Sequence, residues 1–527
     1  MRDLERVRRG SGFFYLCAFV TVAALVLGGG TRSGFLSDAI LQLIALPLLI
    51  LSLWRLTQQQ AARSRPWLVA FCAALVLVPI LQTLPLPPSR WTELPNRKTE
   101  VEALDLVGRG LPWMPVSVAP HATALAALSL IVPIAIFLGT VQLRFEERSR
   151  LSVVIIAVGL LSVFLGLSQV AQGPDSALRF FDFKNTTEAI GFFANRNHFA
   201  ALLYSVTLLA AAWAVNALGS AGGTPTERYD AAAIIALVAS FTVMVMLVAA
   251  QAVARSRGGL GLTIVALLGA LVLAFTDRRD ASGVTPAKVL AAAVGLAALF
   301  ATQFALYRIM ERFAVDPLQD SRIPFATTTI EAAWSFMPFG SGMGTFAPVY
   351  ATFEKPLDIL ANAYVNRAHN DVLEIWLELG VAGIALMLVF LGWYAVRSIA
   401  VWRHTAFGPR EIDTLLARSA TLILGLLIAH SVVDYPLRTG AMMAVFAFAC
   451  ALLTEPPGAG RRTADSKAGV RDAEDHDRRG WAAPEPGVAV ALPQDAWPKG
   501  ERWGKNVEWP EEWKQRGPPQ RPKPGGR

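Results

Sequence analysis

The stretch Arg367-Ala368-His369-Asn370-Asp371-Val372-Leu373-Glu374-Ile375-Trp376-Leu377-Glu378-Leu379-Gly380 ends a long polar segment and opens an apolar run that continues from Val381 to Ala395. Crossing the hydrocarbon of a bilayer as a helix takes about 20 such residues, so the run reads as a membrane span. On a helix Asn370, Glu374 and Glu378 are four apart and share one face, with His369 at its N-terminal edge. Carboxylates and an imidazole at the mouth of a membrane helix are costly unless they face protein or water. A wet helix start, favoured by the helix dipole, accounts for Asp371 and Glu374. It does not account for Glu378, nearly two turns into apolar sequence, and the stretch is therefore also the candidate chemical centre.

The same apolar pattern recurs along the chain. Of 527 residues 54% are hydrophobic and 17% charged, with a mean hydropathy of +0.44; a soluble chain carries nearer a quarter charged residues. Runs at 13–29, 37–54, 67–85, 121–141, 151–170, 198–216, 231–251, 259–276, 287–306, 372–396, 415–431 and 440–454 predict about twelve transmembrane helices. They are continuous and rich in Leu, Ala and Val, without the alternation of a membrane barrel, so the expected fold is an all-α polytopic integral membrane protein. Cys17, Cys72 and Cys450 fall inside apolar runs, which argues against a disulfide framework. The net charge of +8 comes with basic residues in short loops and in the tail and does not point to nucleic acid.

Orientation follows from the bias of positive charge toward cytoplasmic loops. A basic N-terminus (Arg2, Arg6, Arg8, Arg9) before the first run reads as an uncleaved anchor with its start inside. Arg55, Arg63 and Arg65, then Arg144, Arg148 and Arg150, then Arg278 and Arg279, and finally Arg397, Arg403 and Arg410 all fall on the cytoplasmic side. The longer connections 87–120, 171–197 and 307–367 fall on the other, non-cytoplasmic side. The expected organisation is N-terminal helices with a first outer loop over 1–120, and a membrane domain over 121–455 with a large outer loop at 307–367. Residues 456–527 are expected to be a disordered cytoplasmic tail, rich in Pro, Gly and charge yet carrying Trp481, Trp497, Trp503, Trp509 and Trp513.

On that topology five polar clusters share the non-cytoplasmic side. The first, Gly191-Phe192-Phe193-Ala194-Asn195-Arg196-Asn197-His198-Phe199, enters a span; Asn195 and Asn197 suit either a helix cap or a substrate contact. The second, Ala254-Arg255-Ser256-Arg257-Gly258-Gly259, turns between two spans, and Arg255 and Arg257 suit either snorkelling anchors or a phosphate site. The third lies in the large loop, where Arg322 precedes an amphipathic helix expected over 327–336 and then Gly340-Ser341-Gly342-Met343-Gly344-Thr345-Phe346. The backbone N–H groups of that glycine-rich turn are candidates to line an anion. The fourth holds His369, Asn370 and Glu378. The fifth, His430-Ser431-Val432-Val433-Asp434-Tyr435-Pro436-Leu437-Arg438, spaces His430 and Asp434 so that one can orient the other. No zinc-ligand spacing, acidic metal pair or nucleotide loop occurs on this side.

Together, Gly191–Phe199, Ser256-Arg257-Gly258, Phe339–Phe346 and the pattern His369-Asn370-Asp371 followed by Glu378, Gly380 and Gly383 resemble the bacterial O-antigen ligase and polysaccharide polymerase superfamily. The resemblance spans roughly 185–455 in the family's order. It implies a metal- and cofactor-independent, inverting glycosyltransferase in the inner membrane. Such an enzyme takes a glycan from an undecaprenyl-diphosphate donor and passes it to a saccharide acceptor, lipid A-core or growing polysaccharide. By the family pattern Arg257 and Arg322 would hold the diphosphate, with Arg255 able to share that role, and His369 would be the base. Asn195, Asn197, Asn370, Glu378, His430 and Asp434 are the accompanying substrate-binding candidates. Chemistry supports the roles: arginines stabilise a departing diphosphate, and histidine titrates near neutrality. The competing reading is a lipid-linked oligosaccharide flippase, although transporters place their ionisable groups nearer the bilayer midplane.

Overall fold

The computed structural model describes residues 2–31, 34–58, 66–181, 187–221, 231–275, 295, 322–356, 359, 364–403 and 412–454. The chain divides into Met1–Ala459 and Gly460–Arg527; the second part, with the five tail tryptophans, lies outside the described residues, as does most of the span expected at 287–306.

The helices are α1 (Arg2–Leu27), α2 (Leu36–Gln58), α3 (Pro66–Thr83), the short α4 (Pro88–Trp91) and α5 (Lys98–Leu106), then α6 (Pro120–Ser129), α7 (Ile131–Val141), α8 (Phe145–Gln172), α9 (Arg196–Ala221), α10 (Ala231–Ala254) and α11 (Arg257–Phe275). The large loop contributes α12 (Arg322–Ser335) and α13 (Phe346–Phe353), followed by α14 (Asp371–Arg403), α15 (Ile412–Ser431) and α16 (Gly440–Leu453). Among the described residues eight segments are long and apolar enough to cross a membrane, counting α6 and α7 as one. Three shorter apolar segments, Gly12–Leu27, Val238–Ala254 and Gly440–Leu453, fall where sequence places further spans. Among the described residues the strand pairing is a two-residue antiparallel ladder, Pro85 opposite Pro115 and Leu86 opposite Met114.

The bundle is built around α9. Its apolar window is 94% buried, against 22–61% for the other long spans, because α8, α10, α11, α15 and α16 all pack on it. Small side chains allow that approach, as in membrane helix interfaces generally. At Gly259 a Cβ would sit 2.4 Å from the Cβ of Ala200, so glycine sets how closely α11 seats on α9.

Two ends of the bundle differ in character. At one, basic side chains close helix termini: Arg148 donates to the carbonyls of Thr140, Val141 and Leu143 at the end of α7, and Arg397 to Leu453 O at the end of α16. Arg55 lies over the Phe13 ring. Arginines that sequence counts as loop charge therefore also satisfy carbonyls left open where helices stop. At the other end, the turns interlock through backbone hydrogen bonds: Ala441 N to Gly28 O (2.9 Å), Ala194 N to Gly29 O (3.0 Å), Ser117 N to Gln82 O (2.8 Å) and Val118 N to Ser341 O (2.9 Å). The polar clusters of the sequence gather at this second end.

The span expected over 372–396 is not one regular helix. Gly380 adopts φ 56°, ψ −138°, which breaks α14 into an upper half and a membrane half. The broken ladder is repaired from outside. Ser341 N reaches Leu377 O (2.9 Å), Gly342 N reaches Glu378 O (3.0 Å), and Val381 N reaches Pro338 O (2.9 Å). Gln82 Nε2 also donates to Glu378 O, at 2.9 Å. Most N–H groups of the glycine-rich turn are thus spent inside the protein: those of Ser341 and Gly342 on α14, that of Met343 on Gln82 Oε1, that of Thr345 on Gly342 O and that of Phe346 on Glu378 Oε1. The expectation of an anion site there is corrected on this ground. A Cβ at Gly380 would lie 2.2 Å from Pro338 O. Gly380→Ala is therefore expected to cost about 2–4 kcal/mol, seen as a lower thermal midpoint in detergent. Gly392→Ala, where a Cβ meets nothing within 4 Å, should be neutral; equal midpoints for the two variants would refute the account.

Candidate active site

The polar end is organised by two carboxylate-centred clusters. The first surrounds Asp434, in the turn between α15 and α16. His369, just before α14, places Nδ1 3.0 Å from Asp434 Oδ1. Asn197, in the first turn of α9, donates its amide to Asp434 Oδ2, and accepts from Ser256 Oγ at 2.8 Å. Ser256 caps α11 by accepting from Gly259 N at 3.0 Å, and the next residue is Arg257. A continuous polar chain thus links His369 to the base of Arg257 across four segments that are distant in sequence.

His369 is held by rings as well. Phe325 stacks on its imidazole at 6.0 Å and Tyr435 meets it edge-on at 4.8 Å. Phe325 stands one turn after Arg322 on α12, which begins at Arg322 rather than after it, so imidazole and guanidinium are carried on one packed unit. The His369 side chain stays 25% exposed while Asp434 is 1% exposed, an arrangement in which one ring edge is anchored and the other meets solvent. Both His369 (φ 50°) and Arg255 (φ 52°) have left-handed backbones, a conformation that side-chain-bearing residues take at a cost and that clusters at functional sites.

Burial alone would raise the Asp434 carboxyl, but the hydrogen bond and charge of His369, with His198 and His430 beyond it, hold it well below the usual carboxylate range. Burial, and then the Asp434 charge, push the Tyr435 phenol up. His430, buried on α15, is hydrogen-bonded through Nδ1 to the Tyr204 hydroxyl of α9 at 3.1 Å. Its Nε2 faces α11, 3.8 Å from where a Cβ on Gly258 would stand, and Arg322 is within electrostatic range of the ring. Arg257 is exposed at the start of α11. Arg255 points elsewhere, its guanidinium 3.5 Å from Thr187 Oγ1 in the connection before α9.

The second cluster surrounds Arg438. Its guanidinium meets Asp371 Oδ1 at 3.3 Å, Glu374 Oε1 at 3.4 Å and Glu378 Oε2 at 2.8 Å. Arg367 adds a 2.7 Å pair to Glu374, and Ser431 donates to Asp371 at 2.8 Å. All three carboxylates are buried, so the wet helix start expected for Asp371 and Glu374 is corrected: they are paired inside protein. The carboxylates hold the Arg438 guanidinium charged, raising it above its ordinary value although burial works the other way.

The substrate-binding candidates thus separate by surroundings. Asn195 and Asn370 cap helices, through Asn197 N (2.8 Å) and through Val372 N and Leu373 N (3.0 and 3.1 Å). Glu378 supports the break in α14 and pairs with Arg438. Asn197, Asp434 and His369 form one hydrogen-bonded group; Arg257 follows Ser256 of that group, Arg322 lies one turn before Phe325 on the His369 ring, and His430 lies beside Gly258. Sequence reasoning gave Arg438, Tyr204, Tyr435 and Phe325 no role. Arg438 and Tyr435 stand inside a polar stretch that was legible, whereas Tyr204 and Phe325 look like ordinary apolar-face residues. Among the described residues no group of three or more His, Cys, Asp or Glu side chains is placed to hold a metal ion.

No curated protein matches the chain. Residues 231–388, from α10 into the membrane half of α14, match a family model described as O-antigen ligase. That segment contains Arg257, Arg322 and His369, and the match supports a likeness of this part of the chain to the O-antigen ligase-like superfamily.

Proposed function

We propose that the protein transfers a glycan from an undecaprenyl-diphosphate carrier to a saccharide acceptor, lipid A-core or a growing polysaccharide, at the periplasmic face of the inner membrane. The observation that carries this reading is the His369–Asp434 pair, with Arg257 next to Ser256 of its hydrogen-bonded group and Arg322 one turn before Phe325 on its ring. With Nδ1–H donated to Asp434, His369 Nε2 keeps its lone pair and accepts the proton of the acceptor hydroxyl as that oxygen attacks the anomeric carbon. The bond from that carbon to the diphosphate breaks, and the arginines stabilise the charge that develops on the leaving oxygen. A single direct displacement inverts the anomeric configuration. Asp434 carries the imidazolium that forms without itself being protonated.

The test uses the whole chain in its membrane. His369→Ala and Arg322→Ala are each expected to insert at normal levels and to lose glycan product by about 10²–10⁴-fold. Lipopolysaccharide banding against secreted polysaccharide shows which acceptor receives the glycan. Normal chain lengths in both variants would sink the reading, and uptake of labelled lipid-linked sugar into sealed vesicles would favour a flippase.

A further inference from the structure

We infer that His430 is a third ligand of the donor's diphosphate, acting as a neutral N–H donor whose tautomer is fixed by Tyr204. The inference rests on the donor chemistry proposed above and adds to it a residue and a protonation state.

Tyr204 is fully buried on α9 within the apolar core. Among the described residues its hydroxyl meets no acceptor besides His430 Nδ1, at 3.1 Å. A buried hydroxyl that accepted from Nδ1–H would leave its own proton unpaired, which is unfavourable in an apolar setting. The phenol therefore donates and Nδ1 accepts. In a neutral imidazole the proton then sits on the other nitrogen. That nitrogen, Nε2, faces the first turn of α11 beside Gly258, at the anion-binding end of a helix that begins with Arg257, and Arg322 is within electrostatic range of the same ring.

Neutrality matters here. A proton-bearing imidazole among two arginines would be repelled, while a neutral N–H adds a directed bond to a phosphate oxygen. The ionisable groups that act on the ring are Tyr204 and His198 on α9, Arg322 on α12 and Asp434 across the turn, with Arg257 next in sequence to Gly258 on α11 and His369 beyond Asp434. The hydrogen bond from Tyr204 singles out the neutral form from this mixed field.

The test measures binding of a soluble short-chain prenyl-diphosphate sugar to the full-length protein in nanodiscs, by calorimetry between pH 6 and 9. His430→Ala should weaken binding ten- to a hundredfold. His430→Gln, whose amide can present N–H near the Nε2 position, should stay within about threefold. Tyr204→Phe should weaken binding several-fold, because the fixed tautomer is released. Wild-type affinity should be flat across the pH range. Wild-type affinity falling as pH rises would mean an imidazolium and overturn the inference. So would unaltered binding in His430→Ala while Arg257→Ala and Arg322→Ala weaken it. If none of the three variants changes binding, the diphosphate reading fails with it.

Discussion

Asp434→Asn is expected to cut glycan transfer by roughly 10³–10⁴-fold while the chain inserts and folds as before. Asp434 accepts two hydrogen bonds at once, from Asn197 at one oxygen and from His369 Nδ1 at the other. An asparagine offers one acceptor and one donor. If its oxygen stays with Asn197, its NH2 faces His369 and forces Nδ1 to accept; the proton then moves to Nε2, the atom that must be vacant to act as base. If the amide turns round, two NH2 groups oppose each other at Asn197 and the link to Ser256 and α11 is strained. Either way the imidazole is mis-set. Product formation measured on membranes with matched protein levels checks this, and activity within tenfold of wild type would remove His369 from the base role. The pair also bears on acid stability. Because the folded-state carboxyl lies below its unfolded value, its contribution is fully present above about pH 4. It is lost as pH falls through the folded value.

Arg438→Met is expected to cost about 3–5 kcal/mol and to leave little folded protein at growth temperature. The substitution keeps bulk but removes the guanidinium that serves Asp371, Glu374 and Glu378 together. Arg367 would remain for Glu374, leaving two carboxylates buried without a cation. Lysine should rescue poorly, since one ammonium on a flexible stem cannot reproduce a planar fork with three partners. The diagnostic outcome is coupling: Arg438→Met combined with Asp371→Asn and Glu378→Gln should recover part of the loss, because the uncompensated charges go with their partner. Size-exclusion profiles and thermal midpoints in detergent read both results. A single variant as stable as wild type would mean the cluster contributes nothing to stability.

How much of this was legible in sequence depends on reach. Among the described residues, eight of the twelve spans expected from hydropathy coincide with helices long and apolar enough to cross a membrane, because a helix must supply about twenty apolar residues wherever the chain crosses. The alternation of ends placed Asn197, Arg257, Arg322, His369 and Asp434 on one side, and the structure joins all five segments through hydrogen bonds and the stacking of Phe325 on His369. What the pattern could not carry was pairing. His369 and Glu378 lie nine apart on the same stretch, so their kinship looked local, whereas the imidazole answers to Asp434 and the carboxylate to Arg438, each some sixty residues on. Likewise Gly380 inside an apolar run reads as a tolerated helix residue. Only the docking of 338–342 shows that it is a stop, and that the glycine-rich turn was written to fill a ladder rather than to hold an anion.

The interruption at Gly380 has a mechanical meaning. The half of α14 that carries Asp371, Glu374 and Glu378 is clamped by Arg438 and the 338–342 turn, and the half that lies in lipid starts afresh at Val381. Val381 N is itself tied to Pro338 O (2.9 Å), so the 338–342 turn fastens the start of the lower half as well as the end of the upper one. A continuous helix would pass on about 100° of rotation for every residue inserted. The break therefore ends the helical ladder of the upper half at Gly380 and hands its open carbonyls to the 338–342 turn, so one short loop holds the register of both halves.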